Sequence, residues 1–502
     1  MKKKITLRDG IRIEHLWALA VLVGIFVFVN THPIQPYDFW FHIATGRETI
    51  QTVRIPEQDT FSYTAFGYPY SSNNIYWLAQ IFLFGVYETG GPAWVILISS
   101  LVITTAYGLL ISLGYLLTRN WRAAAAGALF AAALSIDNWN VRPQILAYLY
   151  ATLCIWLIWS FRQNGRRAHL ALYPVIMLFW VNTHGTFFIG LLLLVLWVLD
   201  EAWKVYAHLR GYQQLRLIVL VPPLVISFLS ILACLVNPQG IFIIQTITNV
   251  SSNRFIQDLI VEWQPPDFTG YSGILYLLLL AFSGFLLIHN RRQTNLFQVL
   301  CFLSFGLLGL RYVRAMIWFG FALSPTVAMG VSVLLNRFQR ASGPISTSRV
   351  IKLLNLAVLS LIVSLAVFSL PWFKHLWPVI PEKRGLVAYN TPIKATQFLL
   401  DANLPAPVFH DMAFGSYLTW AAVPRYRVFV DPRIELYPAE IWNDYLKLNT
   451  ASPDWQNLLD KYGIQTLMLY RKDQALLIDA VYRSGGWVQQ YQDETSVVIT
   501  RR

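Results

Sequence analysis

Apolar residues gather into runs near 13–30, 92–117, 123–137, 144–161, 170–183, 185–200, 217–236, 272–289, 296–310, 313–335 and 351–371. Each is long enough, with some allowance for tilt and breaks, to cross a hydrocarbon core, so the pattern predicts about eleven spanning helices. The runs near 170–183 and 185–200 are short and joined by Asn182-Thr183-His184-Gly185, which suits either a tight hairpin or one long broken helix. Beyond Trp372 the pattern changes to short alternating runs among charges, prolines and aspartates. There Val408–His410, Arg427–Val430, Thr466–Tyr470 and Ser496–Thr500 are expected as strands, and 391–402, 414–422, 438–448, 453–462 and 474–484 as helices. The expected fold class is an α-helical polytopic membrane protein with a C-terminal extracytoplasmic α/β domain. The division falls at 1–372, with a large first outer loop at 31–92, and 373–502, a soluble unit of ordinary domain size. Arg340–Ser348 is the one linker-like segment, and no internal repeat interrupts the pattern.

Composition supports this. Of 502 residues, 56% are hydrophobic and 13% charged, more apolar than one soluble core of this length requires. The net charge of +13 does not point to nucleic acid, because the basic residues lie between apolar runs and not in one patch. With an odd number of spans, every loop on one side is basic: Arg119 and Arg122; Arg162, Arg166 and Arg167; Lys204, Arg210 and Arg216; Arg291 and Arg292; Arg337, Arg340 and Arg349. The positive-inside rule makes that side cytoplasmic, with the N-terminus inside and the C-terminal domain outside. One broken helix across 170–200 would move every later loop to the other side, against this pattern. Met1-Lys2-Lys3-Lys4 ahead of an apolar run from Leu16 to Val29, without a small-x-small cleavage site before Thr31-His32-Pro33, predicts an uncleaved anchor. Cys154, Cys234 and Cys301 lie inside apolar runs without metal or disulfide spacing and are expected as packing residues.

Candidate chemistry lies on the outer side, which holds most of the acids. In Tyr37-Asp38-Phe39-Trp40-Phe41-His42-Ile43-Ala44-Thr45-Gly46, a helix would set Asp38 and His42 on one face beside Trp40. Asp38 there suits a general base or a ligand of a divalent metal such as Mg or Mn, although spacing alone favours an interfacial helix whose carboxylate caps it or meets water. Asp137 in the second outer loop is either a second acidic metal candidate or a cap on the following span. His184 at the outer end of a hairpin is expected to face a polar cavity, with a hydrogen-bonded packing histidine as the alternative. Arg311 and Arg314, three apart at the outer start of a helix, suit a phosphate clamp or ordinary interfacial anchoring. Glu262, with Asp258 and Asp267 nearby, is a further polar candidate in a loop whose acids are otherwise simply solvated. In the C-terminal domain, Asp411 and the run Asp431-Pro432-Arg433-Ile434-Glu435 end strands, where binding crevices form, although turn chemistry explains Asp-Pro as well.

The Asp38 segment, Ile55-Pro56-Glu57-Gln58-Asp59-Thr60-Phe61-Ser62-Tyr63-Thr64 and Trp77-Leu78-Ala79-Gln80 together resemble the first outer loop of bacterial membrane glycosyltransferases of the GT-C superfamily. That group contains oligosaccharyltransferase catalytic subunits, protein O-mannosyltransferases and aminoarabinose transferases. Arg142-Pro143-Gln144, Trp180-Val181-Asn182-Thr183-His184-Gly185, Asn237-Pro238-Gln239-Gly240 and Glu262-Trp263-Gln264-Pro265-Pro266 resemble the same group in the same order. The resemblance implies a GT-C-like membrane domain and aligns Asp38 with the first-loop carboxylate that serves as base or metal ligand. It places Asp137 where oligosaccharyltransferases carry an acidic metal motif, but the chain has Asp-Asn-Trp there instead of an Asp-x-Asp pair.

The implied function is an inverting glycosyltransferase in the bacterial inner membrane, moving a sugar from a polyprenyl phosphate or diphosphate to a lipid, glycan or protein acceptor. Asp38, His42, Asp137 and His184 are the catalytic candidates, and Arg311, Arg314, Glu262, Trp40 and Arg142 the substrate-binding ones. Membrane lipids are expected partners and nucleic acid is not. The other readings are a transporter or flippase and an envelope scaffold. A transporter calls for repeated halves and charges deep within spans, and the chain has neither. A scaffold leaves the outer-loop acids without a role.

Overall fold

The computed structural model describes residues 12–70, 73–210, 217–339, 349–377 and 384–502. Lys2–Lys4, Arg216, Arg340 and the linker expected at Arg340–Ser348 lie outside the described residues. The helices of the membrane part, with those of its outer loops, are α1 (Ile13–Thr31), α2 (Asp38–Thr52), α3 (Asn73–Thr118), α4 (Trp121–Ala133), α5 (Gln144–Asn164), α6 (Leu172–Val181), α7 (Phe188–Arg210), α8 (Val221–Cys234), α9 (Ile243–Ser252), α10 (Arg254–Leu259), α11 (Tyr271–His289), α12 (Leu296–Arg311), α13 (Met316–Gln339) and α14 (Arg349–Phe368).

Each predicted run carries a helix, but among the described residues eight helices are long and apolar enough to cross a membrane, not eleven. The shortfall lies in α4, α6 and α12, of 13, 10 and 16 residues. At 1.5 Å per residue these reach about 15–24 Å, short of a hydrocarbon core of about 30 Å. Each still carries the chain from one end of the bundle to the other: α4 leads to Asp137, α6 to His184 on the cavity, and α12 runs from the Phe297–Asp200 contact to Arg311, so the alternation of sides is that of eleven segments. α6 and α7 are separate helices that fold back on each other. The Tyr173 hydroxyl donates to the Gly190 carbonyl at 2.8 Å, and a Cβ on Gly190 would strike Met177 and Trp180. α3 is broken at Gly90-Gly91-Pro92, where Gly91 takes φ +62°, so its first half belongs to the outer loop and its second half to the bundle.

Polar contacts mark the two ends of the bundle. At one end the Ser272 hydroxyl donates to Asp137 and the Val313 N–H to the Gln264 carbonyl. At the other, Asp200 accepts from the Phe297 N–H at 3.0 Å and pairs with Arg162 and Lys204 at 2.8 and 2.9 Å. The first end carries α2 and the C-terminal domain.

That domain is a small three-layer α/β unit. Its helices are α15 (Ile393–Asp401), α16 (Met412–Ala421), α17 (Ala439–Asn449), α18 (Trp455–Lys461) and α19 (Ala475–Ser484). Its strands are β1 (Val408–His410), β2 (Thr466–Tyr470), β3 (Trp487–Gln492) and β4 (Ser496–Arg501), ordered β1-β2-β4-β3, with β1 and β2 parallel and the other pairs antiparallel. Alternation along β2 sends Leu467 and Leu469 into a core with Trp442 and Leu459, and Met468 into the opposite core with Leu399 and Phe414.

Two expectations are corrected here. Arg427–Val430 joins no sheet: it is extended but pairs with the first outer loop, Val428 N–H donating to the Phe61 carbonyl and Tyr63 N–H to the Val428 carbonyl, both at 3.0 Å. β3 went unpredicted because its Val-Gln-Gln-Tyr-Gln sequence lies on an exposed edge and carries no apolar alternation.

The loop and domain are locked by charge. Arg433, fully buried, pairs with Asp59 of the first loop at 2.7 Å and with Asp431 at 2.6 Å, while the rings of Phe61 and Tyr70 cover its guanidinium, each centroid 5.1 Å away. Ala65 and Tyr70 of the loop complete the domain's core. Arg433→Ala strands two buried carboxylates and is expected to cost about 3–5 kcal/mol. Hydrogen exchange checks this: protection should fall together across residues 57–70 and 428–437, and loss confined to one segment would mean that the clasp is only local.

Candidate active site

α2 begins at Asp38, with His42 and Gly46 one and two turns further along the same face. It lies between α3 and α16. On the α3 side, the Gln80 amide donates to His42 Nδ1 at 3.2 Å, and a Cβ on Gly46 would fall on the Gln80 carbonyl. On the α16 side, Phe41 N–H donates to Ser416 Oγ at 3.2 Å, and Arg47 bonds the Trp420 carbonyl at 3.0 Å while stacking on its ring. The N-terminal end of α2 opens into a cavity of about 450 Å³, a size that suits a small ligand.

Four charged side chains from four segments meet on its wall: Asp38, Arg142 at the start of α5, Glu262 in the loop after α10, and Arg314 in the turn before α13. Arg142 is shared, 2.7 Å from Glu262 and 3.9 Å from Asp38. The Arg314 guanidinium lies 4.4 Å over the Trp263 ring and enters no ion pair among the described residues. Burial raises the Asp38 pKa, against the pull of Arg142, with Glu262 adding to the rise and Arg314 opposing it. Burial also opposes ionisation of Glu262, but its bond to Arg142 wins and holds it below the usual range. The asymmetry leaves Asp38 as the carboxylate nearer to accepting a proton.

The histidines sit deeper. Burial, then the charges of Arg433 and Arg142, push His42 down to about 3, so it is neutral in ordinary conditions. His184 Nδ1 accepts from the Thr186 N–H at 3.1 Å, which leaves any ring proton on Nε2. Tyr76 stands between them, its ring 5.3 Å from His42 and 5.6 Å from His184. The far wall comes from the C-terminal domain, where Glu435 accepts from the Tyr70 hydroxyl at 3.4 Å.

Of the nine catalytic and substrate-binding candidates named from the sequence, Asp38, His42, Arg142, His184, Glu262 and Arg314 line this one cavity. Three do not. Asp137 is exposed and takes a bond from Ser272. Arg311 is exposed and stacks on Tyr312, because α12 ends there and a turn intervenes before Arg314, so the two arginines share no helix face. Trp40 is 2% exposed and packs against Tyr417 of α16 at 4.9 Å, on the side of α2 away from the cavity. The cavity also takes Tyr70, Tyr76, Gln144 and Glu435. Gln144 and Glu435 sit in runs already marked, whereas nothing in the sequence distinguishes those two tyrosines from the other 23 among 25.

The donor set does not suit a divalent ion. Asp38 and Glu262 have a guanidinium between them, Asp137 lies elsewhere, and among the described residues no three His, Cys, Asp or Glu side chains gather. No step is therefore routed through a metal.

No protein-family model and no curated protein matches the chain. Solved structures do. The archaeal oligosaccharyltransferase AglB from Archaeoglobus fulgidus, in complex with an inhibitory peptide and a dolichol-phosphate, matches with a TM-score of 0.59 at 10% identity over 90% of this chain and 69% of that one. An Archaeoglobus fulgidus oligosaccharyltransferase tethered to an acceptor peptide matches at 0.50 and 12% identity, over 97% and 74% of the two chains. ArnT from Cupriavidus metallidurans bound to undecaprenyl phosphate gives 0.48 at 15% identity over 97% of both chains. The chain therefore has the fold of the GT-C membrane glycosyltransferases.

Proposed function

We propose that the protein is a membrane glycosyltransferase that moves a sugar from a polyprenyl phosphate or diphosphate to a lipid, glycan or protein acceptor on the extracytoplasmic side of a bacterial inner membrane. The observation that carries this reading is the meeting of Asp38, Arg142, Glu262 and Arg314 in one cavity between the bundle and the C-terminal domain. The dolichol-phosphate held by AglB, which shares the fold, supports a lipid phosphate as donor carrier.

In the proposed step, an acceptor hydroxyl attacks the anomeric carbon from the face opposite the phosphate, which inverts it. The new carbon–oxygen bond forms as the bond to phosphate breaks. Asp38 takes the acceptor proton, and the bonding pair leaves with the phosphate, whose charge Arg314 and Arg142 stabilise. Arg314 is the better clamp because Arg142 is already held by Glu262. His42 holds α2 in place through Gln80, and His184 offers Nε2–H as a neutral donor.

Asp38→Asn is expected to leave insertion and folding intact and to reduce transfer by roughly 10²–10⁴-fold. Arg314→Ala should instead raise the donor KM about tenfold or more, through loss of a charge-assisted contact. Both are read by movement of label from a polyprenyl-linked sugar pool into envelope glycans or glycolipids at matched expression. Undiminished transfer by Asp38→Asn removes the base from the proposal.

The acid limb of the rate profile follows from the electrostatics. Transfer needs ionised Asp38, so it falls as pH drops through its raised pKa. Arg142→Gln removes a charge that lowers this pKa and should move the limb to higher pH, as a kcat/KM profile would show. An unmoved limb would assign it to another group.

With the basic end of the bundle in the cytoplasm, the C-terminal domain faces outward. Reporter fusions after Lys2 and after Arg502 should report opposite compartments, and the same compartment for both would reverse the siting of the reaction.

A further inference from the structure

A second groove, also about 450 Å³, lies at the other end of the bundle between α1, α3, α4 and α14. Leu19, Leu22, Ile111 and Leu359 line it, and His15 meets the edge of the Trp121 ring at 5.5 Å where α1 begins. It is remote from the active-site cavity. Leu19 precedes the cavity-side end of α1, Thr31, by 12 residues, or about 18 Å of helix.

Cations surround this end of the groove. The Arg12 N–H donates to His15 Nδ1 at 3.3 Å. Arg119 lies over Tyr115, which stacks on Trp121 with centroids 4.1 Å apart. Arg122 follows Trp121, and its Nε is buried without a hydrogen-bond partner. Lys352 precedes Leu359 by seven residues, on the same face of α14. None of the four enters an ion pair among the described residues, and Glu14 is the acid in the first turn of α1. The starts of α1, α4 and α14 gather here too, and their dipoles add positive potential.

We propose that this groove binds an anionic phospholipid, with an acyl chain between α1 and α14 and the phosphate against Arg119 and Arg122. An apolar groove open to the bilayer takes an acyl chain whatever the headgroup. The headgroup preference comes from the cations at its end, which outnumber the acid. The site is independent of the transfer reaction.

Native mass spectrometry of the purified full-length protein, titrated with dioleoyl phosphatidylglycerol or dioleoyl phosphatidylcholine, tests it. Wild type should hold one phosphatidylglycerol about tenfold more tightly than phosphatidylcholine. Arg119→Gln with Arg122→Gln should erase the preference, and Leu19→Trp, which fills the groove and keeps the charges, should remove the tight adduct. Leu22→Trp replaces the latter if it fails to fold. Arg291→Gln, an exposed cation between α11 and α12, should change nothing. Equal retention of the two lipids, a tight adduct that survives the tryptophan, or an Arg291→Gln effect matching the double variant would each overturn the proposal, the last by showing general surface attraction.

Discussion

Arg433 lies between two carboxylates in an apolar interior, and the arrangement of the outer half of the molecule depends on it. A guanidinium at this depth is tolerable only when its charge and donors are met, and here one partner comes from the first outer loop and the other from its own turn. Loop and domain therefore cannot part without leaving charge in a dry interior. The interactions around the clasp follow from that: extended pairing of Ser62 with Val428, and the burial of Ala65 and Tyr70 in the domain's core. Tyr70 in turn reaches Glu435 on the cavity wall, so the clasp also fixes one side of the space in which a ligand would sit.

The opposite side is fixed by α2, which is gripped from both directions. α3 holds it through Gln80 and α16 through Ser416 and Trp420. Its first residue, Asp38, thus belongs to neither half alone. Asp38, Glu262, Arg142 and Arg314 share their charges unequally, which distinguishes them: Glu262 has Arg142 at hydrogen-bonding distance, Asp38 only at 3.9 Å, and Arg314 has an aromatic face instead of a carboxylate. One acid is thereby kept ionised, the other left close to accepting a proton, and one cation remains for an anion.

Much of this was legible in the sequence, and the gaps have physical causes. Apolar runs located the helices because a membrane demands them, but run length overstated α4 and α6, whose ends turn into polar loops. Asp38, Arg142 and Glu262 stood out as charged residues beside apolar spans, yet their meeting depends on packing between distant segments. Arg311 and Trp40 were chosen by spacing and composition, and the end of α12 and the facing of α2 place them elsewhere. The Pro-x-x-Asp-x-Phe-Ser-Tyr turn was visible as a motif, but not as one half of a clasp, since its partner Arg433 lies far along the chain. Tyr76 carried no signal: a tyrosine among many becomes informative only once two histidines flank it.

Gly46 is the point where α2 rests on α3, because the absent side chain lets the Gln80 carbonyl come against the helix. Asp38 and Gly46 ride on one rigid rod eight residues apart, about 12 Å. The glycine therefore acts as a mechanical stop, and the rod as a lever whose far end carries the carboxylate. A methyl group inserted at the stop would lift the rod or pivot it, moving Asp38 against Arg142 without altering any charged group. Reacting groups tolerate displacement of only about 0.5 Å. The height of the carboxylate in its cavity is thus set by a hydrogen atom two turns away.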